Sequence, residues 1–99
     1  MSTQRRISAF FPCFNDAGTI ASMVMEALVV LRELASEYEV IVIENGSTDY
    51  AWDVLDELDW LYGPDGIDPH ERGRVRVIRF ARPLGYGGAL RAGFAACRH

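Results

Sequence analysis

The sequence predicts an α/β fold in which a parallel sheet lies between two layers of helices. Three short apolar runs alternate along the chain with segments whose apolar residues recur at helical spacing. The middle run is apolar on both faces, which is typical of a parallel strand that helices cover on each side. A loop rich in polar residues or glycine follows each run, as at the carboxyl ends of strands in α/β proteins. We therefore predict one Rossmann-like domain over residues 1–99, with the order β-α-β-α-β-α.

The first strand and helix are predicted on either side of a short polar loop. Ile7–Phe11 is an apolar run that ends at Pro12, and the residue before a proline is pushed out of the helical region. Apolar residues then recur every three or four positions over 20–34, which predicts a helix with one apolar face. Asn15 or Asp16 offers a side-chain oxygen that can cap this helix.

The second strand and helix follow the same pattern. Glu39–Ile43 is the buried-strand run, and Asn45-Gly46 marks the turn that ends it. The Ser-Thr-Asp sequence at 47–49 offers capping oxygens for a second helix. The apolar residues of that helix follow at helical spacing: Trp52, Leu55, Leu58 and Leu61.

The third strand comes after a long surface loop. Residues 63–73 contain the turn signals Pro-Asp-Gly and Asp-Pro, which predict a loop rather than a strand or helix. Polar and apolar residues alternate over Arg74–Phe80, which predicts the third strand. A turn at Pro83 precedes a third helix, which we predict from Gly88 onward.

Composition narrows the functional class. Apolar residues make up 49% of the chain and charged residues 24%, so the chain is expected to fold. The formal charge of −4 provides no basic surface for nucleic acid, so we predict no nucleic-acid partner. The apolar run from Ile7 is too short for a signal-peptide core, and no stretch approaches a membrane span. We expect a chain without a membrane segment, located in the cytoplasm.

The cysteines and histidines give no sign of catalytic or metal chemistry. Cys13 and Cys97 form no disulfide framework and lack metal-ligand spacing. The only histidines, His70 and His99, cannot be placed beside Cys13 from the sequence. We interpret both thiols as buried apolar groups and predict no catalytic residue and no metal ligand in this chain.

Three loops carry the candidate binding residues. Loop one covers residues 12–16, loop two residues 44–49 and loop three residues 82–88, and each follows a predicted strand. Caps and tight turns explain many of these residues taken singly. Because carboxyl ends of parallel strands meet at one edge of the sheet, the three loops together predict a ligand site there. The candidates are Pro12, Phe14, Asp16, Glu44, Asn45, Gly85, Gly87 and Gly88.

The chemistry of these residues suits a nucleotide. An aromatic ring such as Phe14 can stack on a nucleobase, which contributes roughly 1 to 3 kcal/mol. Glu44 or Asn45 can hydrogen-bond a base edge or ribose hydroxyls. Glycines in the third loop let the backbone approach a phosphate, to which the following helix offers unpaired N–H groups.

The three loops also carry motifs of a known family. Residues 11–16 read Phe-Pro-Cys-Phe-Asn-Asp, residues 41–49 read Ile-Val-Ile-Glu-Asn-Gly-Ser-Thr-Asp, and residues 85–88 read Gly-Tyr-Gly-Gly. In this order they resemble the motifs of the family-two glycosyltransferases of GT-A fold, over nearly the whole chain. The sequence Gly-Tyr-Gly-Gly resembles the glycine-rich motif in one branch of this family, the polyprenyl-phosphate and dolichol-phosphate sugar synthases. The resemblance implies the N-terminal half of a GT-A fold, binding the nucleotide part of a nucleoside diphosphate sugar.

Departures from the family pattern bear on activity. Glu44-Asn45 stands where the family usually has Asp-Asp, and Pro83 follows Arg82 where the family often has Asn. The family's Asp-x-Asp motif, which holds Mg²⁺ or Mn²⁺ on the donor diphosphate, would come after His99. We therefore expect no cofactor in this chain, a divalent metal in a full-length parent, and no turnover by the chain alone.

Two alternative functions remain open at this stage. The chain could be a non-catalytic α/β module for binding or self-association. A dinucleotide-binding protein is a second alternative, but the glycine-rich segment follows the third strand rather than the first, and Leu90 replaces its final glycine.

The resemblance also predicts self-association. In the family, strand one pairs with a strand that would follow the end of this chain. Without that partner, residues 7–11 would form an apolar open edge, which promotes pairing with another strand. We expect a homodimer in which this strand pairs antiparallel with its copy.

Overall fold

The computed structural model describes residues 5–99, and its elements follow the predicted order. Strands and helices alternate: β1 (Arg6–Cys13), α1 (Ile20–Leu34), β2 (Glu37–Asn45), α2 (Ala51–Tyr62), β3 (Val75–Phe80) and α3 (Gly85–Ala96). The fold class is thus confirmed as an α/β arrangement with one parallel sheet. No helix within residues 5–99 is both long enough and apolar enough to cross a membrane.

The sheet has the strand order β1-β2-β3, and both pairings are parallel. β2 lies in the centre, where Val42 faces Phe11 of β1 across one ladder and Val77 of β3 across the other. All its residues from Tyr38 to Asn45 are buried, as expected for a strand with neighbours on both sides and helices on both faces. The central strand therefore anchors the sheet, and its carboxyl end fixes the middle of the predicted site.

The helices divide between the two faces of the sheet. Val40 and Val42 of β2 belong to the core beneath α1 and α2, whereas Ile41 and Ile43 belong to a second core beneath α3. Each fully buried Ile or Val contributes roughly 1.5 to 3 kcal/mol relative to exposure. α3 packs against β1 and β2, so the chain crosses to the opposite face after β3 and returns toward β1. The start of α3 is thereby brought over the carboxyl ends of β1 and β2.

Strand boundaries differ from the sequence prediction in ways that have local causes. β1 continues through Pro12 to Cys13 rather than ending at Phe11, because a strand paired on one side only tolerates a residue without an N–H group. β2 begins at Glu37, two residues earlier than predicted, and β3 begins at Val75, one residue later. These shifts leave the predicted loops at the carboxyl ends of the strands.

Both predictions that involved the helix starts near the site need correction. α1 begins after Thr19 without a side-chain cap, and the Asp16 carbonyl accepts hydrogen bonds from the N–H groups of Thr19 and Ile20 instead. α3 begins at Gly85 rather than Gly88, because Gly85 adopts a φ of +75° that turns the chain into the helix. The N-cap residue of α2 is Tyr50, which makes no side-chain cap; Asp49, one residue earlier, accepts a hydrogen bond at Oδ1 from the Ala51 N–H at 2.9 Å.

Candidate functional site

A cleft of about 480 Å³ opens at the carboxyl ends of β1 and β2, beside the start of α3. Residues from all three predicted loops line it: Pro12, Phe14, Asp16, Asn45, Pro83, Gly85, Tyr86 and Ala89. Five of the eight predicted site residues are among them. The structure therefore brings the three loops together as the topology of a parallel sheet requires.

Two aromatic side chains stand open to solvent at the cleft. Phe14 is 48% exposed and Tyr86 is 73% exposed, although large apolar side chains are ordinarily buried. The prolines and Ala89 add further apolar surface to the walls. Such walls are suited to a flat ring that needs apolar or aromatic faces on which to stack.

Loop one is held in place by loop two. Asn15 has a φ of +54°, and its Oδ1 accepts hydrogen bonds from the N–H groups of Thr48 at 2.7 Å and Asp49 at 3.3 Å. The Asn15 N–H donates to Ser47 Oγ at 2.9 Å, and the Ala17 N–H donates to Asp49 Oδ2 at 3.1 Å. Asn15 and Asp49 are thus engaged within the protein, while the residues on each side of Asn15 line the cleft.

Asp16 presents a carboxylate to the cleft. It is exposed, and among residues 5–99 its side-chain oxygens accept no hydrogen bond. The predicted capping role of Asp16 is filled by its backbone carbonyl alone. Its carboxylate is therefore available to the donor groups of a ligand.

Glu44, the first residue of loop two, has its side chain buried rather than on the wall of the cleft. It is fully buried, and its carboxylate accepts hydrogen bonds from the Ser47 N–H at 3.1 Å and from the Ser47 hydroxyl. These bonds close the turn that follows β2. The geometry assigns Glu44 to the shape of loop two, with Ser47 as the partner that compensates its burial.

The glycines of loop three differ in their surroundings. Gly85 has a left-handed φ, lines the cleft and has open space where a side chain would begin. Gly88 lies outside the lining, and a Cβ there would come within 2.7 Å of Leu84 Cβ, so helix packing requires it. Gly87 also lies outside the lining and is near the Arg91 guanidinium. Gly85 is thus the glycine that brings backbone to the cleft.

Three lining residues were missed from the sequence: Pro83, Tyr86 and Ala89. Tyr86 had a detectable signal, because it is a large aromatic residue within the glycine-rich motif of the third loop. Pro83 and Ala89 had none, since each also fits its role in the turn or in the core. Their place at the cleft depends on the return of α3 over β1.

The surroundings of the thiol and acidic side chains bear on whether they could act as a nucleophile or as metal ligands. Cys13 is fully buried below loop one, and burial raises the pKa of its thiol to about 11. A thiol with such a pKa is not a nucleophile near neutral pH. Within the described residues no group of three or more His, Cys, Asp or Glu side chains is placed to hold a metal ion. Among the residues that line the cleft, Asp16 is the one that carries a carboxylate.

Comparisons with known proteins agree with the family motifs. The chain is 33% identical over 102 residues to the human (Homo sapiens) protein named dolichyl-phosphate beta-glucosyltransferase, covering 98% of this chain and 29% of that protein. Its identity to the Saccharomyces cerevisiae protein of the same name is 30% over 97 residues, covering 93% of this chain and 26% of the relative. No solved structure matches the chain.

A third relative comes from bacteria. The Pseudomonas fluorescens protein named undecaprenyl-phosphate 4-deoxy-4-formamido-L-arabinose transferase is 26% identical over 92 residues, covering 93% of this chain and 24% of that protein. The chain thus spans about a quarter of the length of the curated relatives it matches. A family model described as glycosyl transferase family 2 matches residues 8–99. Since that match covers nearly all of the sequence, the chain belongs to glycosyl transferase family 2.

Proposed function

We propose that the cleft binds the nucleotide part of a nucleoside diphosphate sugar, as the donor side of a family-two glycosyltransferase. One observation carries the proposal: exposed Phe14 and Tyr86 share a cleft with the free carboxylate of Asp16 and the backbone of Gly85. An aromatic surface, an acceptor for hydroxyl groups and an accessible helix start are the groups that a base, a ribose and a diphosphate require.

Each wall has a part in this binding. Phe14 stacks on the base, and Asp16 accepts hydrogen bonds from ribose hydroxyls or from N–H groups of the base. The diphosphate lies toward Gly85, where the absence of a side chain lets backbone N–H groups at the start of α3 approach its oxygens. Gly87 and Gly88 follow in the first turn of that helix.

Sugar transfer needs more than this chain supplies. A divalent cation would neutralise the leaving diphosphate, and Mg²⁺ or Mn²⁺ is the cation that we propose for a longer protein containing this sequence. Residues 5–99 hold no cluster for it. We therefore propose that the chain alone binds the nucleotide with little dependence on metal and does not turn over.

The acceptor is a proposal drawn from the names of the relatives. The relatives described above are named for dolichyl phosphate or undecaprenyl phosphate. We propose a polyprenyl phosphate as the acceptor of a full-length parent, with the nucleotide cleft in the cytoplasm and without a nucleic-acid partner.

Ligand-observed NMR tests the nucleotide site. Uridine and guanosine diphosphates at millimolar concentration are expected to show saturation transfer with the wild-type chain. Phe14→Ala should weaken binding by roughly 1 to 3 kcal/mol if the ring stacks on the base. Trp60→Ala is the matched control, because Trp60 is 62% exposed and lies on α2 away from the cleft. Absence of transfer from both nucleotides would refute the proposal, and equal losses in both variants would refute stacking by Phe14.

A homodimer through β1 is a second proposal, and the contrast between the sheet edges favours it. In residues 5–99 both β1 and β3 pair on one side only. β3 carries Arg76 and Arg79, charged groups of the kind that discourage strand pairing, each bound to a carboxylate. β1 instead borders an apolar groove of about 460 Å³ lined by Ala9, Phe11, Met23, Glu26, Ala27, Val30 and Leu31. Antiparallel pairing of β1 with its copy would cover this groove.

Sedimentation over a concentration series tests the dimer. Val30→Glu adds a second carboxylate to the groove, which Glu26 already lines, and should give a monomer, whereas Val29→Glu should remain a dimer. The two valines are equally exposed, at 52%, but only Val30 lines the groove. Ala9→Pro, which removes a ladder donor from β1, should also weaken association. A wild-type chain that stays monomeric at high micromolar concentration, or equal effects of the two glutamates, would refute edge pairing.

A further inference from the structure

Asn45 occupies the junction between loop two and loop three. It is the last residue of β2 and is 7% exposed. Its Oδ1 accepts a hydrogen bond from the Leu84 N–H at 2.7 Å, and its Nδ2 donates to the Gly85 carbonyl at 3.5 Å. The amide therefore uses an acceptor and a donor on consecutive residues of loop three.

Gly46 strengthens the same junction independently. Its φ is +73°, and a Cβ at this position would lie 2.7 Å from the Pro83 nitrogen and 2.8 Å from Pro83 Cδ. The backbone of loop three thus lies directly on Gly46, with no room for a side chain between them. Asn45 and Gly46 together hold three consecutive residues of loop three, Pro83, Leu84 and Gly85.

The held segment includes the turn that forms the cleft wall. Gly85 has a φ of +75° at the first position of α3, and Tyr86 follows it at the cleft. The groups on each side of this turn, the Leu84 N–H and the Gly85 carbonyl, are the two that Asn45 binds. Fixing both groups fixes the direction in which Gly85 and Tyr86 face the cleft.

We propose that Asn45 is a positioning residue, whose amide sets the place of Gly85 and Tyr86 and thereby the affinity of the cleft for a nucleotide. The proposal rests on the nucleotide-binding function proposed above. It gives Asn45 a role through loop three, instead of the direct contact with the base or ribose that the sequence predicts. An amide is required, because a carboxylate can accept from the Leu84 N–H but cannot donate to the Gly85 carbonyl.

Amide hydrogen exchange at Leu84, measured by NMR without ligand, reports this junction directly. In Asn45→Ala the Leu84 N–H loses its acceptor, and its exchange should accelerate about tenfold or more. The affinity for uridine or guanosine diphosphate should fall about tenfold in the same variant. Phe14→Ala is the matched control, since it should weaken nucleotide binding without changing Leu84 exchange.

Asn45→Asp supplies a pH-dependent readout that simple loss of structure would not produce. Near neutral pH its carboxylate protects Leu84 but leaves the Gly85 carbonyl without a donor. Protonation of the carboxyl group restores an O–H donor beside an acceptor, as in the amide. The affinity of Asn45→Asp relative to wild type should therefore recover as pH falls from 7 toward 4.5, whereas that of Asn45→Ala should not.

The outcomes separate positioning from direct contact. Weaker nucleotide binding in Asn45→Ala with unchanged Leu84 exchange would overturn the proposal in favour of direct contact. Faster exchange with unchanged affinity, or an Asn45→Asp defect that does not recover with acid, would overturn it as well. A wild-type chain that binds neither nucleotide would refute the proposed function, and Leu84 exchange would still decide whether Asn45 holds loop three.

Discussion

The two ends of the sheet differ in whether they leave a carboxylate free at a cleft. At the amino end, buried Glu39 of β2 accepts hydrogen bonds from Ser8 Oγ at 2.6 Å, Arg76 Nε at 3.0 Å and the Arg98 N–H at 2.8 Å. At the carboxyl end, Asp16 remains exposed at the cleft. Charges at the amino end thus join elements to one another. At the carboxyl end Glu44 and Asp49 are also engaged within the protein, but the Asp16 carboxylate stays available to a ligand.

A second cluster at the amino end repeats this pattern. Buried Glu71, in the loop before β3, accepts hydrogen bonds from the Tyr38 hydroxyl at 2.8 and 3.1 Å. Arg32 of α1 lies 3.0 Å from the same carboxylate, and the Arg74 guanidinium stacks 4.4 Å from the centre of the Tyr38 ring. The loop is thereby tied to α1 and β2. Substitutions at this end should change stability, and substitutions at the cleft should change binding.

Removal of Glu39 should have the largest effect on stability. Glu39→Ala leaves the Arg76 guanidinium, which is only 21% exposed, without its carboxylate. We expect the free energy of unfolding to fall by about 2 to 4 kcal/mol, somewhat less than for a fully buried pair. Urea denaturation measures this change, with exposed Glu33→Ala as the control. A loss no larger than that of the control would contradict a structural role for this network.

Acid should remove part of the same stabilisation. Burial raises the pKa of Glu39, but the hydrogen bonds from Ser8, Arg98 and Arg76 outweigh burial and hold it below its ordinary value. A carboxyl group whose pKa is lowered by folding stabilises the folded state when the pH is above its ordinary pKa of about 4.3. This stabilisation is lost as the pH falls through the pKa of the folded state. The urea concentration at the unfolding midpoint should therefore decrease when the pH is lowered below about 4. Glu39→Gln should show a smaller decrease, and an identical decrease would contradict this assignment.

Asn15 should contribute to stability through two separable terms. Asn15→Gly removes the side-chain acceptor that holds loop two and should cost about 1 to 2 kcal/mol of unfolding free energy. Asn15→Ala removes the same acceptor and also places Cβ in a left-handed conformation, which adds about 1 kcal/mol. Thermal and urea denaturation of the pair measure the difference. Equal stability of the two variants would contradict a positive φ at this residue.

The smallest effect is expected at the surface ion pair of β3. Arg79 Nη2 lies 2.6 Å from Asp56 Oδ1, but the Asp56 side chain is 70% exposed. Exposed pairs contribute about 0 to 1 kcal/mol, so Asp56→Ala should lower the free energy of unfolding by less than about 1 kcal/mol. Urea denaturation at low and high salt measures it. A larger loss would remove the distinction between this pair and the buried Glu39 network.

Much of the fold follows from local pattern in the sequence. Helical spacing and the doubly apolar run of β2 predict the element order, and parallel topology then predicts that the three loops meet. The start of α3 was missed because its glycines have poor helix propensity, which the contacts of Asn45 with Leu84 and Gly85 override.

Other differences from the sequence-based expectations concern polar side chains that hydrogen-bond within the protein. Asn15 is a residue type that often caps the helix that follows it, yet its side chain accepts a hydrogen bond from Thr48 in the next loop. Glu44 looks like a ligand group at the end of a strand, but Ser47 satisfies it internally. Spacing along one sequence identifies the residue types of a site, whereas tertiary contacts decide which of them face the ligand.

The most direct test of the contrast between the two ends is a titration of the ¹⁵N-labelled chain with uridine or guanosine diphosphate, followed by amide chemical shifts. We predict shifts concentrated at residues 13–16, at Asn45 and at residues 84–88. Amides near Glu39 and Glu71 should remain in place. Shifts centred at the amino end of the sheet, or no shift with either nucleotide at millimolar concentration, would contradict the assignment of the cleft as the ligand site.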